Sequence, residues 1–359
     1  MRVPVTALPS DLESIPDRPA VFLLWAGQGA PYLARTALLR RRLKRLISNR
    51  DRLSSVLNLR GVAERIEYWL TGSQLESALI HLDLAKRHFP GDVERITRLK
   101  PPVFLRLTVD NAFPRTMLTT RLSRGLYYGP FAARTTAERF QNEMLDLFQL
   151  RRCEENLAPA ADHPGCIYGE MNKCLRPCQQ VVSLEEYRHE AGRVEQFLRT
   201  EGASLRESAE TARDQASAAM QFEEAEHMHQ RLTRIEEVQS SAGDLARTLD
   251  RLAGVAVVPS AEPENVDLVF LAGGRWLEPR SFSLSESATF LENASMDRRL
   301  RELCAGISPE SSPDLEHLAV LVRWYGSSWR DGEWIGFDSF EKIPYRKIVN
   351  AVARVASRA

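Results

Sequence analysis

The chain has 359 residues, enough for two or three domains, with an ordinary apolar share of 43%. It has no run of 18 apolar residues, and its opening MRVPVTALPSDLES lacks the pattern of a secretion signal, so no membrane span and a cytoplasmic location are expected. A net charge of zero hides an asymmetry: residues 1–152 carry 25 Lys+Arg against 14 Asp+Glu and the remainder 23 against 34, so the first part suits a polyanion and the second a different partner.

In chain order, Ala20–Trp25 (AVFLLW) reads as a buried strand, a turn follows over 27–30, and Pro31–Leu33 opens the return strand of a hairpin. From Thr36 the pattern is helical, with leucines and Ile47 on one face and Arg40, Arg41, Arg42, Lys44 and Arg45 around the rest. From Arg35 to Arg60 there are nine basic residues and one acidic residue, Asp51, a density that fits phosphate contacts. Val62–Trp69 predicts a third strand. SQLESALIHLDLAKRHF predicts an amphipathic helix stopped by Pro90. Strands are expected at Val103–Thr108 and Thr116–Arg121 and a helix at Thr135–Leu150, with a central mixed sheet.

Four of the five cysteines, Cys153, Cys166, Cys174 and Cys178, follow in a C-x12-C-x7-C-x3-C pattern. The turn formers between them (Pro159, Pro164, Gly165, Gly169, Asn172, Pro177) let the chain fold back, so the thiols can converge on one group. One loose arm and a tight trio lean towards an iron–sulfur cluster, with zinc as the alternative.

Beyond Cys178 the chain is helical. Ser183 and Glu186 form a capping box, Gly202 ends that helix, and Ser204–Asp250 reads as a second long helical stretch. Gly254–Val258, Val266–Ala272 and Arg275–Leu284 look like strands, and Thr289–Ile307, Pro313–Tyr325 and Pro344–Ser357 like helices. Trp276, Trp324, Trp329 and Trp334 are expected to pack in the core or on the surface, although Arg323–Trp334 mixes aromatic and polar residues in a way that could stack bases.

Four blocks in this order resemble the UvrC excinuclease family over about residues 10–285. The blocks are AVFLLW…PYLARTALLRRRL (Ala20–Leu43), AFPRTMLTTRL…YYGPF (Ala112–Phe131), the cysteine stretch, and AAMQFEEAEHMHQRLTRIEEV (Ala218–Val238). The resemblance implies an α+β multidomain fold. It places a GIY-YIG nuclease-like mixed α/β domain over 10–100, and connecting strands, a helix and the four-cysteine module over 101–180. A helical region over 181–250 contains a UVR-like motif at about 204–240. A small C-terminal α/β region over 251–359 stands where the family leads into its RNase H-like domain.

The resemblance also implies roles. Tyr32 matches the tyrosine that activates water, Arg42 the arginine on the scissile phosphate, and Arg35 stands where a lysine is usual. Three positions depart: Phe22 lacks the first hydroxyl, Ala34 replaces a glycine, and the metal glutamate falls on His81. An imidazole is a poor ligand for Mg²⁺, and Asp83 lies about 200° round the helix from it, so a divalent ion here lacks its oxygen ligand. The stretch after Gly243 does not resemble the acidic strands of the second nuclease, so the second incision activity is not expected. The four cysteines match a [4Fe–4S] ligand set, here a structural staple between the DNA-facing and partner-facing halves. DNA is expected on Arg40, Arg41, Lys44 and Arg45. A UvrB-like helicase is expected on Phe222, Ala225, Met228, Leu232 and Ile235. The function implied is a UvrC-like DNA-binding factor of nucleotide excision repair with weak or lost nuclease activity. An active single-incision GIY-YIG endonuclease and a helical scaffold without a DNA role are the alternatives.

Overall fold

The computed structural model describes residues 3–27, 29–48, 62–284, 293–304, 306 and 312–358. They form two compact units, one of 1–100 with 253–359 and one of 101–252. The first unit opens with β1 (Val5–Ala7), β2 (Ala20–Trp25), β3 (Tyr32–Thr36), α1 (Leu39–Ser48), β4 (Arg65–Leu70), α2 (Gln74–His88) and α3 (Val93–Thr97). The strands pair in the order β1-β4-β2-β3, all antiparallel. Alternation splits this sheet into two apolar faces. Ala20, Phe22, Leu24, Ile66 and Tyr68 pack under Leu39, Leu43 and Leu46 of α1. Val21, Leu23 and Trp69 pack under Ile80 and Leu84 of α2. The sequence starts α2 with Ser73, whose side chain accepts from the Glu76 amide at 3.1 Å, and Glu76 reaches back to accept from Gly72 N at 2.9 Å.

The second unit contains β5 (Val103–Leu107), β6 (Thr116–Thr119), β7 (Leu126–Phe131), α4 (Arg134–Leu145), α5 (Ile167–Glu170), α6 (Leu184–Arg199), α7 (Ala203–Ala218), α8 (Phe222–Ser241) and β8 (Arg247–Thr248). Its sheet runs β6-β5-β7-β8. Phe140 and Met144 of α4, Tyr187, Val194 and Phe197 of α6, and Ile235 and Val238 of α8 close one core over it. The helical stretch expected over 204–250 is broken in two. Met220 takes a left-handed φ of 56° and the chain reverses there.

The chain then returns to the first unit with β9 (Ala253–Pro259), β10 (Asn265–Ala272), β11 (Arg275–Trp276), β12 (Arg280–Ser283), α9 (Asn293–Cys304), α10 (Leu315–Tyr325), β13 (Glu333–Phe337) and α11 (Tyr345–Ala356). The expected strand Arg275–Leu284 is split into β11 and β12, and the helix expected over Thr289–Ile307 lies partly outside the described residues. Residues 253–359 pack onto 1–100 directly. A Cβ on Gly72 would stand 2.0 Å from the Ser260 carbonyl carbon, so only glycine admits this approach. Lys86 pairs with Asp314 at 2.7 Å, and Arg18 Nη2 donates to Ala261 O at 2.5 Å. The expected mixed sheet is corrected: every strand pairing among the described residues is antiparallel. Among the described residues no helix is long and apolar enough to cross a membrane.

Candidate nucleic-acid interface and cysteine centre

Strand alternation decides which candidate nuclease residues meet. Tyr32 and Ala34 lie on the α1 side of β3 with Phe22, and the Phe22 and Tyr32 rings are 6.0 Å apart. Phe22 is directly opposite Ala34 in register and fully buried, so the missing hydroxyl is replaced by core packing. Arg42 on α1 donates from Nη2 to Tyr32 Oη at 3.1 Å. Leu33 and Arg35 alternate to the other face, under α2. There Arg35 shares a small cavity with His81 and with Arg323, Trp324 and Trp329. The fold therefore brings Tyr32 to Arg42 and Arg35 to His81, and it keeps the two pairs on opposite faces of the sheet.

His81 is not a helix-surface residue: it is 9% exposed. Burial first, then the charges of Arg35 and Arg323, hold its pKa down to about 4, so it is neutral at physiological pH. A divalent cation placed here would meet two guanidinium groups and one nitrogen, whereas Mg²⁺ wants oxygen. Asp83 cannot help, because it pairs with Arg87 at 3.1 Å. The residues at this position do not fit a divalent ion.

On α1, Lys44 reaches Glu13 at 2.6 Å, Arg40 approaches Glu13 at 4.0 Å, and Arg41 pairs with Asp17 at 2.9 Å. Arg45 is exposed and has no carboxylate partner among the described residues. Such exposed pairs contribute little and yield readily to phosphate. Arg50, Arg52 and Arg60 of the basic run lie outside the described residues.

All four clustered cysteines line one narrow cavity in the second unit, together with Arg151, Arg152 and His163. Cys174 and Cys178 are buried, Cys153 half-buried and Cys166 exposed. Burial above all pushes the Cys174 thiol up to about 11 and raises Cys178 as well. Among the described residues no group of three or more His, Cys, Asp or Glu could hold a metal ion as it stands. The chemistry of the donors is nevertheless suited to a thiolate-bound group, and one further residue matches it. Arg151 is 2% exposed, and no carboxylate among the described residues pairs with it. Its guanidinium donates to Phe113 O and Glu155 O, each at 3.0 Å, and to Cys153 Sγ at 3.5 Å. A buried cation beside four thiols gains its counter-charge when they ionise.

Sequence reasoning missed what orients this segment. Tyr187 on α6 donates to Pro114 O at 2.7 Å and accepts from Arg151 N at 3.2 Å. Glu190, one turn on, accepts from Gln149 N at 2.7 Å. The two polar side chains three apart on one helix, both buried, were the available signal.

The residues expected to contact a helical partner divide. Phe222 is 71% exposed beside Met220, at the turn between α7 and α8; Ala225 and Met228 are half-buried. Leu232 and Ile235 are corrected: they lie in the core of their own unit, packed with α4 and α6, and present no surface.

Residues 103–200 match the family description "UvrC/Cho excinuclease, middle domain", a span that runs from β5 to the end of α6 and holds all four cysteines. Over that span the chain is similar to the middle domain of UvrC/Cho excinucleases. It is similar to UvrABC system protein C of Dehalococcoides mccartyi, at 26% identity over 286 residues, 79% of this chain and 47% of that protein. UvrABC system protein C of Lachnospira eligens is 24% identical over 75% of the chain and 45% of its own length, and that of Rickettsia bellii 28% over 68% and 39%. The chain thus spans about half the length of the curated UvrC relatives it matches, or less. No solved structure matches it.

Proposed function

We propose that the chain is a UvrC-like DNA-binding factor of nucleotide excision repair that docks on a UvrB-like helicase and has little or no nuclease activity. One observation carries the loss of activity. Where a metal-holding carboxylate is needed, His81 stands in one cavity with Arg35 and Arg323, on the opposite side of the sheet from Tyr32 and Arg42. Phosphodiester hydrolysis needs nucleophile, charge neutralisation and Lewis acid at one phosphate, and this arrangement divides them. DNA lies across α1, where Arg40, Arg41 and Lys44 exchange Glu13 and Asp17 for phosphates and Arg45 adds a further cation. The UvrB-like helicase takes the Met220–Phe222 turn. Cys153, Cys166, Cys174 and Cys178 would hold a [4Fe–4S] cluster or zinc, which supplies cross-linking of the segment between β7 and α6, and Arg151 balances its charge.

The second reading, a working single-incision endonuclease, draws on the Arg42–Tyr32 hydrogen bond, which sets a basic group beside a candidate activating hydroxyl. Incubation of the purified chain with a lesion-containing duplex and Mg²⁺ or Mn²⁺ separates the two. Salt-dependent binding without nicking is the expected outcome. Incision lost in Tyr32→Phe and Arg42→Ala would establish the endonuclease instead. Affinity for DNA that ignores salt would remove DNA from the account altogether.

A further inference from the structure

We propose that the cavity between α2 and the segment Trp276–Pro279 is a binding site for a free aliphatic polyamine, an alkyl chain that carries ammonium groups at both ends. The site is separate from the DNA-binding face assigned to α1 and from the cysteine centre, and all of its lining belongs to the first unit.

The lining comes first. Glu76, Leu79, Ile80, Asp83 and Arg87 recur at the spacing of one helix face and form a stripe along α2. Trp276, Leu277, Glu278 and Pro279 make the facing wall, and His317 of α10 completes it. The cavity holds about 350 Å³, which is within the range of small-molecule sites, and five of these ten residues are apolar. Its wall is fixed in advance: Trp276 N donates to His317 Nδ1 at 2.9 Å, and Trp276 Nε1 donates to His317 O at 3.1 Å.

The charges come second. Glu76, Asp83 and Glu278 stand against Arg87 alone, because burial above all holds His317 down to about 4 and so neutral at physiological pH. Other nearby cations are drawn off: Lys86 pairs with Asp314 at 2.7 Å, and Arg275 approaches the same carboxylate at 4.0 Å. Arg87 engages Asp83 Oδ2 at 3.1 Å, and a carboxylate so held keeps acceptor capacity for an ammonium group. Glu76 and Asp83 are separated by about 10 Å along the helix axis and about 20° around it, with Leu79 and Ile80 between them. Two anionic points joined by an apolar floor match two ammonium groups joined by methylenes, and about eight carbons cover that span. A bare metal ion would leave the apolar floor unused, and a neutral apolar molecule would leave the carboxylates unused.

The test is a calorimetric titration of the full chain with α,ω-diaminooctane, α,ω-diaminobutane, octylamine and Mg²⁺. Diaminooctane is expected to bind about tenfold or more tightly than diaminobutane, which is too short to reach both carboxylates, and than octylamine, which has one charge. Asp83→Asn and Glu76→Gln are each expected to weaken diaminooctane by about tenfold, and Arg87→Gln, which removes the opposing charge, to tighten it. Leu79→Ala should narrow the difference between the two diamines, because it removes part of the apolar floor. Glutamine at position 76 can still accept from Gly72 N; if that variant nevertheless melts early, Asp83→Asn, on the half-exposed end of the stripe, decides the matter. No binding of diaminooctane, equal binding of the two diamines, octylamine or Mg²⁺ binding as tightly, or affinity indifferent to Asp83→Asn would overturn the proposal.

Discussion

Arg42 donates to the Tyr32 hydroxyl across 3.1 Å, while Arg35, three residues after Tyr32 on the same strand, turns to the opposite face of the sheet. A three-residue step along a strand reverses the side, and no local adjustment short of a bulge changes that. The two basic residues near the tyrosine therefore serve different surfaces. Restoring the family's acidic residue at one surface should not rebuild a centre at the other.

That argument predicts the outcome of His81→Glu. The new carboxylate would face Arg35 and Arg323 and pair with them, and its pKa would fall below the ordinary glutamate value. A depressed carboxylate stabilises the fold above its unfolded pKa, about 4.3, and the gain is lost on acidification through the folded value. Thermal melts at pH 7 should rise, and nicking with Mg²⁺ or Mn²⁺ should stay at background. Metal-dependent incision by this variant would show that one face holds the whole machinery.

Two histidines of the first unit, buried His81 and half-buried His317, predict an acid weakness. Burial is the largest cause for both, and His81 and His317 are each held down to about 4. His81 faces Arg35 and Arg323; His317 faces Asp314, which raises it, and Lys86 and Arg275, which lower it. A folded pKa below the unfolded value near 6.5 means the unfolded chain binds protons first as pH falls. Stability should therefore decline from about pH 6.5 to about pH 4, by up to roughly 3 kcal/mol for each histidine. Denaturant titrations across that window check the slope, and His81→Gln should remove about half of it. A profile flat between pH 7 and 4 would contradict the burial argument.

Much of this unit was legible because short-range rules govern it. Ser73 and Glu76 mark the start of α2, Pro90 its end, and the apolar run at Ala20–Trp25 its central strand. What the sequence could not disclose was pairing at long separation. Nothing local to Gly72 announces that Ser260 packs against it, and nothing local to Arg35 announces Arg323. β13 is hidden in the sequence because Gly336 interrupts its apolar pattern, yet it pairs with β9 from Ala253 to Val257. In the second unit, the cysteine spacing was visible but the buried cation beside it was not, since Arg151 reads like any other member of a basic stretch.

Along α8 the exposed residues of the proposed docking turn give way to core residues within little more than ten positions. Met220 and Phe222 are exposed apolar side chains on an otherwise polar hairpin tip, and Ile235 is fully buried on the same helix as Phe222. Phe222→Glu should abolish pull-down of a UvrB-like helicase without moving the melting temperature. Ile235→Glu should lose the fold, by burying a charge with no partner. Unchanged pull-down by Phe222→Glu would move the docking surface elsewhere.

Arg151 and Tyr187 predict how the cysteine segment is held. Tyr187→Phe removes the donor to Pro114 O and the acceptor for Arg151 N, so two buried backbone groups lose their partner, at about 1–3 kcal/mol. The second unit should unfold at lower denaturant with little change in far-UV signal beforehand. Arg151→Met keeps the volume and removes the charge, so its consequence depends on what the thiols hold. Around four neutral thiols, loss of a buried cation is neutral or mildly stabilising, because desolvation of the guanidinium is avoided. Around a cluster of thiolates it removes the counter-charge, and iron retained after anaerobic purification should fall together with the visible absorption. Cys174→Ala should abolish both and weaken DNA binding. A colourless protein with stoichiometric zinc would exchange the cluster for a zinc staple, and in that case Arg151→Met should lower zinc affinity in the same direction.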